Sequence, residues 1–112
     1  MNEAVAIQIN NEDYVMCLDI KALRYFTPLY QAETGNKKAT FIDAYIAMQQ
    51  SQDMTAIACL LAGVVRKHQK AKPVGLDFID SISANEIMYL ISKLGECVSS
   101  SMPKGEENTE GK

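Results

Sequence analysis

Residues 53–69 read Asp-Met-Thr-Ala-Ile-Ala-Cys-Leu-Leu-Ala-Gly-Val-Val-Arg-Lys-His-Gln, and this stretch decides the fold. Its large apolar side chains follow the i, i+3, i+4, i+7, i+8 spacing of one helical face: Ile57, Leu60, Leu61, Val64 and Val65. The opposite flank carries small side chains that let a second element approach closely: Ala58, Cys59, Ala62 and Gly63. The stretch therefore predicts a central helix that its neighbours contact from two sides.

Both ends of this helix are marked in the sequence. Asp53 is a predicted N-cap, because its carboxylate can accept the unpaired N–H groups of the first turn. The cations Arg66, Lys67 and His68 follow the last apolar positions, where positive charge favours the carbonyl end of a helix. We therefore expect the helix to include these three residues, with His68 near its C-terminal end.

The composition is that of one globular domain. The chain has 112 residues, of which 47% are hydrophobic and 22% charged. It contains no apolar run of the roughly 18 residues that cross a bilayer, and its N-terminus does not resemble a secretion signal. We therefore predict a cytoplasmic protein without a membrane partner. The abrupt loss of apolar residues after residue 98 predicts a single domain over 1–98 and a disordered tail over 99–112.

The N-terminal residues predict a β-hairpin. Apolar side chains alternate with others at Val5, Ile7 and Ile9, the pattern of a half-buried strand. Residues 10–13, Asn-Asn-Glu-Asp, supply turn chemistry. The alternation then resumes at three positions: Tyr14, Met16 and Leu18. Because an isolated hairpin is barely stable in water, its apolar face is expected to lie on helices.

Helix-start signals divide the remainder of the chain. Asp19 predicts a helix through Phe26 that Pro28 ends or kinks. Thr40 with Asp43 forms a predicted capping box, and the helix after it would turn five apolar side chains inward: Phe41, Ile42, Tyr45, Ile46 and Met48.

Two further starts follow the central helix. Asp77 is a predicted cap for a short turn, and residues 83–86 form a second capping box, in which Ser83 pairs with Glu86. The last helix has one apolar face: Ile87, Leu90, Ile91, Leu94 and Val98. The predicted fold is α+β, with an N-terminal hairpin packed on a small bundle of about four helices.

The sequence offers little for catalysis, and we predict that the protein is not an enzyme. His68 lies nine residues from Cys59, about 13–14 Å along a helix, too far for a Cys–His couple within it. No phosphate-binding loop or zinc-binding motif occurs, and most carboxylates stand at helix starts. The cysteines, Cys17, Cys59 and Cys97, are isolated in apolar segments and are predicted to be buried thiols. We predict no catalytic residue, no cofactor and no metal.

A binding protein is better supported. Tyrosine and methionine favour adaptable interfaces, and the sequence has five Tyr and six Met. The predicted contact residues are Tyr14, Tyr25, Tyr30, Tyr45, Arg66 and Lys67. The alternative is a small regulatory nucleic-acid-binding protein that uses the basic run over residues 66–72, Arg66 to Lys72. The net charge of −3 and the absence of aromatic residues within that run argue against nucleic acid.

The order of elements resembles the tail assembly chaperones of long-tailed, siphovirus-type phages and prophages. The resemblance covers residues 4–98 and is most specific in two segments: Asp-Ile-Lys-Ala-Leu-Arg at 19–24 and Leu-Leu-Ala-Gly at 60–63. It implies a non-catalytic protein that binds and solubilises the tape measure protein and helps to recruit tail tube subunits. It further implies a place in the host bacterial cytoplasm, absence from the mature virion, a possible homo-oligomer, and a longer frameshifted form that contacts the tube protein.

Overall fold

The chain forms a small sheet covered by helices. In the computed structural model, which describes residues 4–101, the sheet is antiparallel with strand order β1-β2-β3. The strands are β1 (Val5–Ile9), β2 (Glu12–Met16) and β3 (Val65–Arg66). The helices are α1 (Ile20–Thr34), α2 (Phe41–Ser51), α3 (Met54–Val64), α4 (Gly75–Asp80) and α5 (Ala84–Ser101). The predicted α+β class is confirmed, with a third strand that the sequence did not reveal.

The hairpin turns over two residues rather than four. Asn10 and Asn11 both have positive φ, 54° and 68°, which is the signature of a type I′ turn between strands with right-handed twist. Ile9 pairs with Glu12, so Glu12 already belongs to β2. The buried face of the hairpin includes Ile7 and Ile9, as predicted.

The outer edge of β1 is covered by α5. The register places the N–H group of Gln8 on the side of β1 that faces away from β2, and Asn10 follows in the hairpin turn. Gln8 N–H donates to the Tyr89 hydroxyl at 3.4 Å, and Asn10 N–H donates to the Glu86 carboxylate at 3.2 Å. Side chains of the last helix thus satisfy backbone donors at the edge of the sheet.

Helix α1 continues through Pro28 instead of stopping there. Asp19 is its N-cap, as predicted, and the carboxylate accepts from Ala22 N–H at 3.0 Å. The helix ends only at Gly35, whose φ of 71° satisfies the left-handed C-cap. Pro28 lies on the exposed side of α1, where the loss of one backbone N–H is tolerated.

Helix α3 is the centre of the core. Between Ala56 and Val64 every side chain is buried except Ala58, which is partly buried. The predicted close approach occurs at Gly63, where a Cβ would lie 3.2 Å from Phe26 Cβ and 3.3 Å from Ala22 O. The small flank of α3 therefore admits α1.

The predicted C-terminal end of the central helix is wrong. The helix ends at Val64, and Val65 and Arg66 pair with Met16 and Val15 of β2. The β-branched pair Val64-Val65 suits this change to extended backbone, and the sheet then buries the Arg66 side chain. His68 lies exposed in the turn that follows, not at a helix end.

Two inward positions predicted for α2 are also wrong. The capping box of Thr40 and Asp43 is confirmed, but Ile42 and Ile46 are 48% and 43% exposed. Helix α2 packs on α1 and α3 through a narrower stripe that includes Ala44, which is fully buried. Ile42 and Ile46 each lie two residues from Ala44, on the opposite side of the helix, so they face outward when Ala44 faces the core.

Helices α4 and α5 complete the core. Asp77 does not cap α4: the N-cap is Val74, without a side-chain hydrogen bond, and Asp77 lies in the first turn. One half of the predicted capping box is confirmed, because Ser83 Oγ accepts from Glu86 N–H at 3.2 Å, whereas the Glu86 carboxylate accepts from Asn10 N–H. Helix α5 continues to Ser101, past the predicted domain end at residue 98. The rest of the predicted tail, 102–112, lies outside the described residues.

Candidate apolar groove

An open groove lies between the end of α2, the start of α3 and one side of α5. Its volume is about 410 Å³, and its apolar lining includes Tyr45, Met54, Ile57, Ile87, Met88 and Ile91. The polar lining is amide and hydroxyl: Gln49, Gln52 and Ser92. None of the lining residues carries a charge. We call this surface the apolar groove.

The joint between α2 and α3 builds one wall of the apolar groove. Gln52 adopts a left-handed conformation, with φ 53°, and its N–H donates to Met48 O at 3.0 Å. Asp53 then starts α3 by accepting from Ala56 N–H at 3.1 Å, as predicted. The chain therefore reverses between the two helices without a loop that would fill the groove.

Helix α5 builds the opposite wall. Ile87 and Ile91 are partly buried against the core, while Met88 points outward with 62% of its surface exposed. Gly95 lies on the same side, and a Cβ placed there would meet no atom within 4 Å. The groove is therefore open at the place that a Cβ of residue 95 would occupy.

Two strongly exposed apolar side chains, Met54 and Met88, line this groove. Met54 is 64% exposed at the start of α3 and faces the groove together with Met88. The exposed Ile42 and Ile46 stand on the helix that contributes Tyr45. Exposed apolar surface of this kind is typical of a binding site, and methionine adapts its shape to different apolar partners.

Of the predicted contact tyrosines, only Tyr45 lines the apolar groove. Tyr25 lies elsewhere, on α1, and is 38% exposed. Tyr14 is partly buried, with Phe78 at 5.3 Å between ring centroids and Lys67 Nζ at 4.4 Å from its ring centroid. Tyr30 is only 5% exposed and stacks on Phe26, so it is not part of an exposed contact surface.

Arg66, a predicted contact residue, is also not part of an exposed surface, because it is only 1% exposed. Its guanidinium donates to the Asp19 carboxylate and, at 2.9 Å, to Gln69 O. Lys67 remains exposed but donates to Glu12 at 3.1 Å, a hydrogen bond that raises the pKa of the lysine. The basic run over residues 66–72 therefore presents fewer unpaired cations than its sequence indicates.

The Asp19 carboxyl is held ionised. Burial by itself raises its pKa, but hydrogen bonds from Arg66 and Ala22 N–H, with the charges of Arg66 and Lys21, outweigh burial. The net result is a pKa below the ordinary value for aspartate. Asp19 thus acts both as helix cap and as partner of a buried guanidinium.

The three cysteines are buried, as predicted. Burial, reinforced by the nearby carboxylates of Glu33, Asp53 and Asp80, raises the pKa of Cys59 to about 11, and burial also raises the pKa of Cys17. Thiols in this state are poor nucleophiles. Within the described part of the chain, no cluster of His, Cys, Asp and Glu could hold a metal ion. No helix there is long and apolar enough to cross a bilayer.

Sequence reasoning missed most of the groove. Met54, Met88 and Gly95 were not among the predicted contact residues. The signal that could have found Met88 is its place beside, rather than within, the buried stripe of α5. An apolar side chain off the core stripe must be either exposed or covered by a partner.

In comparisons with known proteins, no family model, no curated protein and no solved structure matches the chain.

Proposed function

We propose that the protein is a non-catalytic tail assembly chaperone that binds and solubilises a tape measure protein in the cytoplasm of the host bacterium. The observation that carries this proposal is the uncharged, methionine-rimmed apolar groove between α2, α3 and α5. The resemblance of residues 4–98 to such chaperones supports the same function.

The chemistry of the groove favours an apolar helical partner. A tape measure protein is a long helical chain with apolar stripes, and an amphipathic helix places such side chains at i, i+3, i+4 and i+7. The two methionines at the rim can adjust to different side chains along a repetitive partner. Self-association, and recruitment of tail tube subunits through a longer frameshifted form, belong to the same proposal.

The test is co-expression with the tape measure protein, using two exposed apolar residues as matched variants. Met88→Glu places a charge at the groove, whereas Ile20→Glu places one at an equally exposed position that does not line it. We expect Met88→Glu to abolish solubilisation and Ile20→Glu to retain it. Equal behaviour of the two variants would refute the groove as the binding site.

A second pair of variants changes the shape of the groove without adding charge. Gly95→Leu fills open space in the groove, whereas Gly95→Ala adds only one methyl group at the same place. We expect Gly95→Leu to weaken binding strongly and Gly95→Ala to leave it near the wild-type value. Because no lining residue is charged, binding should change little between 50 and 500 mM salt. Binding that disappears with salt, or a mobility shift with DNA or RNA, would favour the nucleic-acid alternative.

A further inference from the structure

A second groove lies between the first turns of α1 and the segment before α4, and its lining is cationic. It has a volume of about 480 Å³ and is lined by Lys21, Arg24, Tyr25, Lys72 and Pro73. Lys21, Arg24 and Tyr25 share one face of α1 at i, i+3 and i+4 spacing, and Lys72 comes from the segment before α4. We call this surface the cationic groove.

Among the described residues, no ion pair joins Lys21, Arg24 or Lys72 to a carboxylate. The ion pairs among the described residues join Arg66 to Asp19, Lys67 to Glu12 and Lys93 to Glu96. Lys21 Nζ donates to a backbone carbonyl, that of Lys70, at 3.4 Å. Since Asp19 is already bound to Arg66, three positive charges converge without an acidic residue in the lining.

An aromatic wall accompanies these charges. The Tyr25 ring is 38% exposed, and its hydroxyl lies so close to Gly75 that a Cβ there would be 3.0 Å from the oxygen. Gly75 has a φ of 86°, a left-handed conformation that favours glycine. Tyr25 and Pro73 thus offer apolar surface beside the cations.

We propose that the cationic groove binds a short, carboxylate-rich peptide segment of a partner protein. Carboxylates complement the lysines and can pair with the planar Arg24 guanidinium through two hydrogen bonds. The small extent of the groove favours a short segment over a nucleic acid. The chain as a whole carries a net charge of −3, and a long polyanion would extend beyond the groove over this acidic surface.

This surface is independent of the apolar groove. The apolar groove lies at the start of α3, where Met54 and Ile57 line it. The cationic groove lies near the other end of α3, because its lining residue Pro73 forms an isolated β-bridge with Arg66, just beyond that end. The eleven residues of α3 correspond to about 16 Å of helix. A partner could therefore occupy either groove alone or both together.

The experiment measures the binding of a fluorescein-labelled peptide with six consecutive glutamates by fluorescence anisotropy, at 50 and 500 mM salt. The matching peptide with six glutamines, an oligothymidine and inorganic phosphate serve as the other arms. We expect binding of the glutamate peptide only, weakened at least ten-fold at the higher salt concentration. The proposal would be overturned if the oligothymidine bound in preference to the glutamate peptide, or if only phosphate bound. It would also be overturned if the glutamine peptide bound equally well, or if the glutamate peptide did not bind at 50 mM salt.

Matched variants locate the site. Lys21→Gln and Arg24→Gln should each weaken binding of the glutamate peptide about three- to five-fold. Lys38→Gln removes the same charge from an exposed loop that does not line the groove and should have no effect. Equal losses in all three variants would show a general charge effect and overturn the assigned site. Met88→Glu should leave this binding unchanged, which separates the outcome from that of the chaperone proposal.

Discussion

The buried ion pair between Asp19 and Arg66 leads to a sharp prediction, because the chain contains a matched control. Asp19 and Asp53 are both N-caps, and their carboxylates accept from the backbone N–H three residues later at 3.0 and 3.1 Å. Only Asp19 also binds a guanidinium, and that guanidinium is 1% exposed. Asp19→Ala therefore removes a cap and an ion pair, whereas Asp53→Ala removes a cap alone.

The expected magnitudes differ several-fold. Loss of an N-cap costs about 1 kcal/mol in the free energy of unfolding. Removal of one partner of a buried ion pair costs about 3–5 kcal/mol, because the other charge stays buried. Asp19 retains 25% side-chain exposure, which favours the lower value. We therefore expect Asp19→Ala to lower the free energy of unfolding by about 4 kcal/mol and Asp53→Ala by about 1 kcal/mol.

The assay is urea denaturation followed by circular dichroism. The double variant Asp19→Ala/Arg66→Met should recover much of the lost stability, because methionine replaces a buried charge with an apolar chain of similar length. If Asp19→Ala and Asp53→Ala destabilise the protein equally, the ion pair contributes nothing and the reasoning is refuted. If the double variant is no better than Asp19→Ala, the cost does not come from the unpaired guanidinium.

Three further predictions use the same stability and reactivity measurements. Because the pKa of Asp19 is lowered in the folded state, its contribution to the free energy of unfolding is complete above the unfolded-state pKa of about 3.9 and is lost as the pH falls through the folded-state pKa. Below pH 4, the free energy of unfolding of Asp19→Asn should therefore change less steeply with pH than that of the wild type. Gly63→Ala should lower the free energy of unfolding by about 1–3 kcal/mol, since the new methyl group would lie 3.2 Å from Phe26 Cβ, and a stabilised variant in urea melts would contradict this packing. With its pKa near 11 and its thiol buried, Cys59 should react with a disulfide reagent such as dithiobis-nitrobenzoate only on unfolding, so rapid reaction of the native protein would contradict the burial.

Local signals predicted the elements of this fold well. The caps at Asp19, Thr40, Asp53 and Ser83 depend on side chains within three residues of the bonds they make, so the sequence contains all the necessary information. The central position of α3 followed from its apolar stripe and its small flank. The class of the fold could therefore be predicted without long-range contacts.

Several errors come from long-range contacts, whereas those at the hairpin turn, at Pro28 and at Asp77 are local. The residues after Val64 form a strand because an edge of β2 is available, and no local pattern marks that edge. The sequence indicates a surface cation at Arg66, because its partner, Asp19, lies 47 residues earlier in the chain and no local pattern connects the two. The outward orientation of Ile42 and Ile46 likewise depends on which side of α2 packs on α1 and α3.

The candidate sites were harder to predict than the fold. The apolar groove consists of residues from three helices, none of which forms a motif by itself. The cationic groove combines Lys21 and Arg24 with Lys72, which the sequence places in a separate basic run. A site whose residues come from separate segments, brought together only by folding, is difficult to predict from a single sequence.

Helix α5 has two duties that constrain each other. It forms a wall of the apolar groove, and its Tyr89 and Glu86 side chains accept hydrogen bonds from the N–H groups of Gln8 on β1 and of Asn10 in the hairpin turn. A ligand that displaced α5 in order to bind more deeply would expose the edge of β1, which could then pair with strands of other chains. We therefore expect a ligand of the apolar groove to bind at its rim while α5 stays in place, so that the backbone groups at the edge of β1 remain covered.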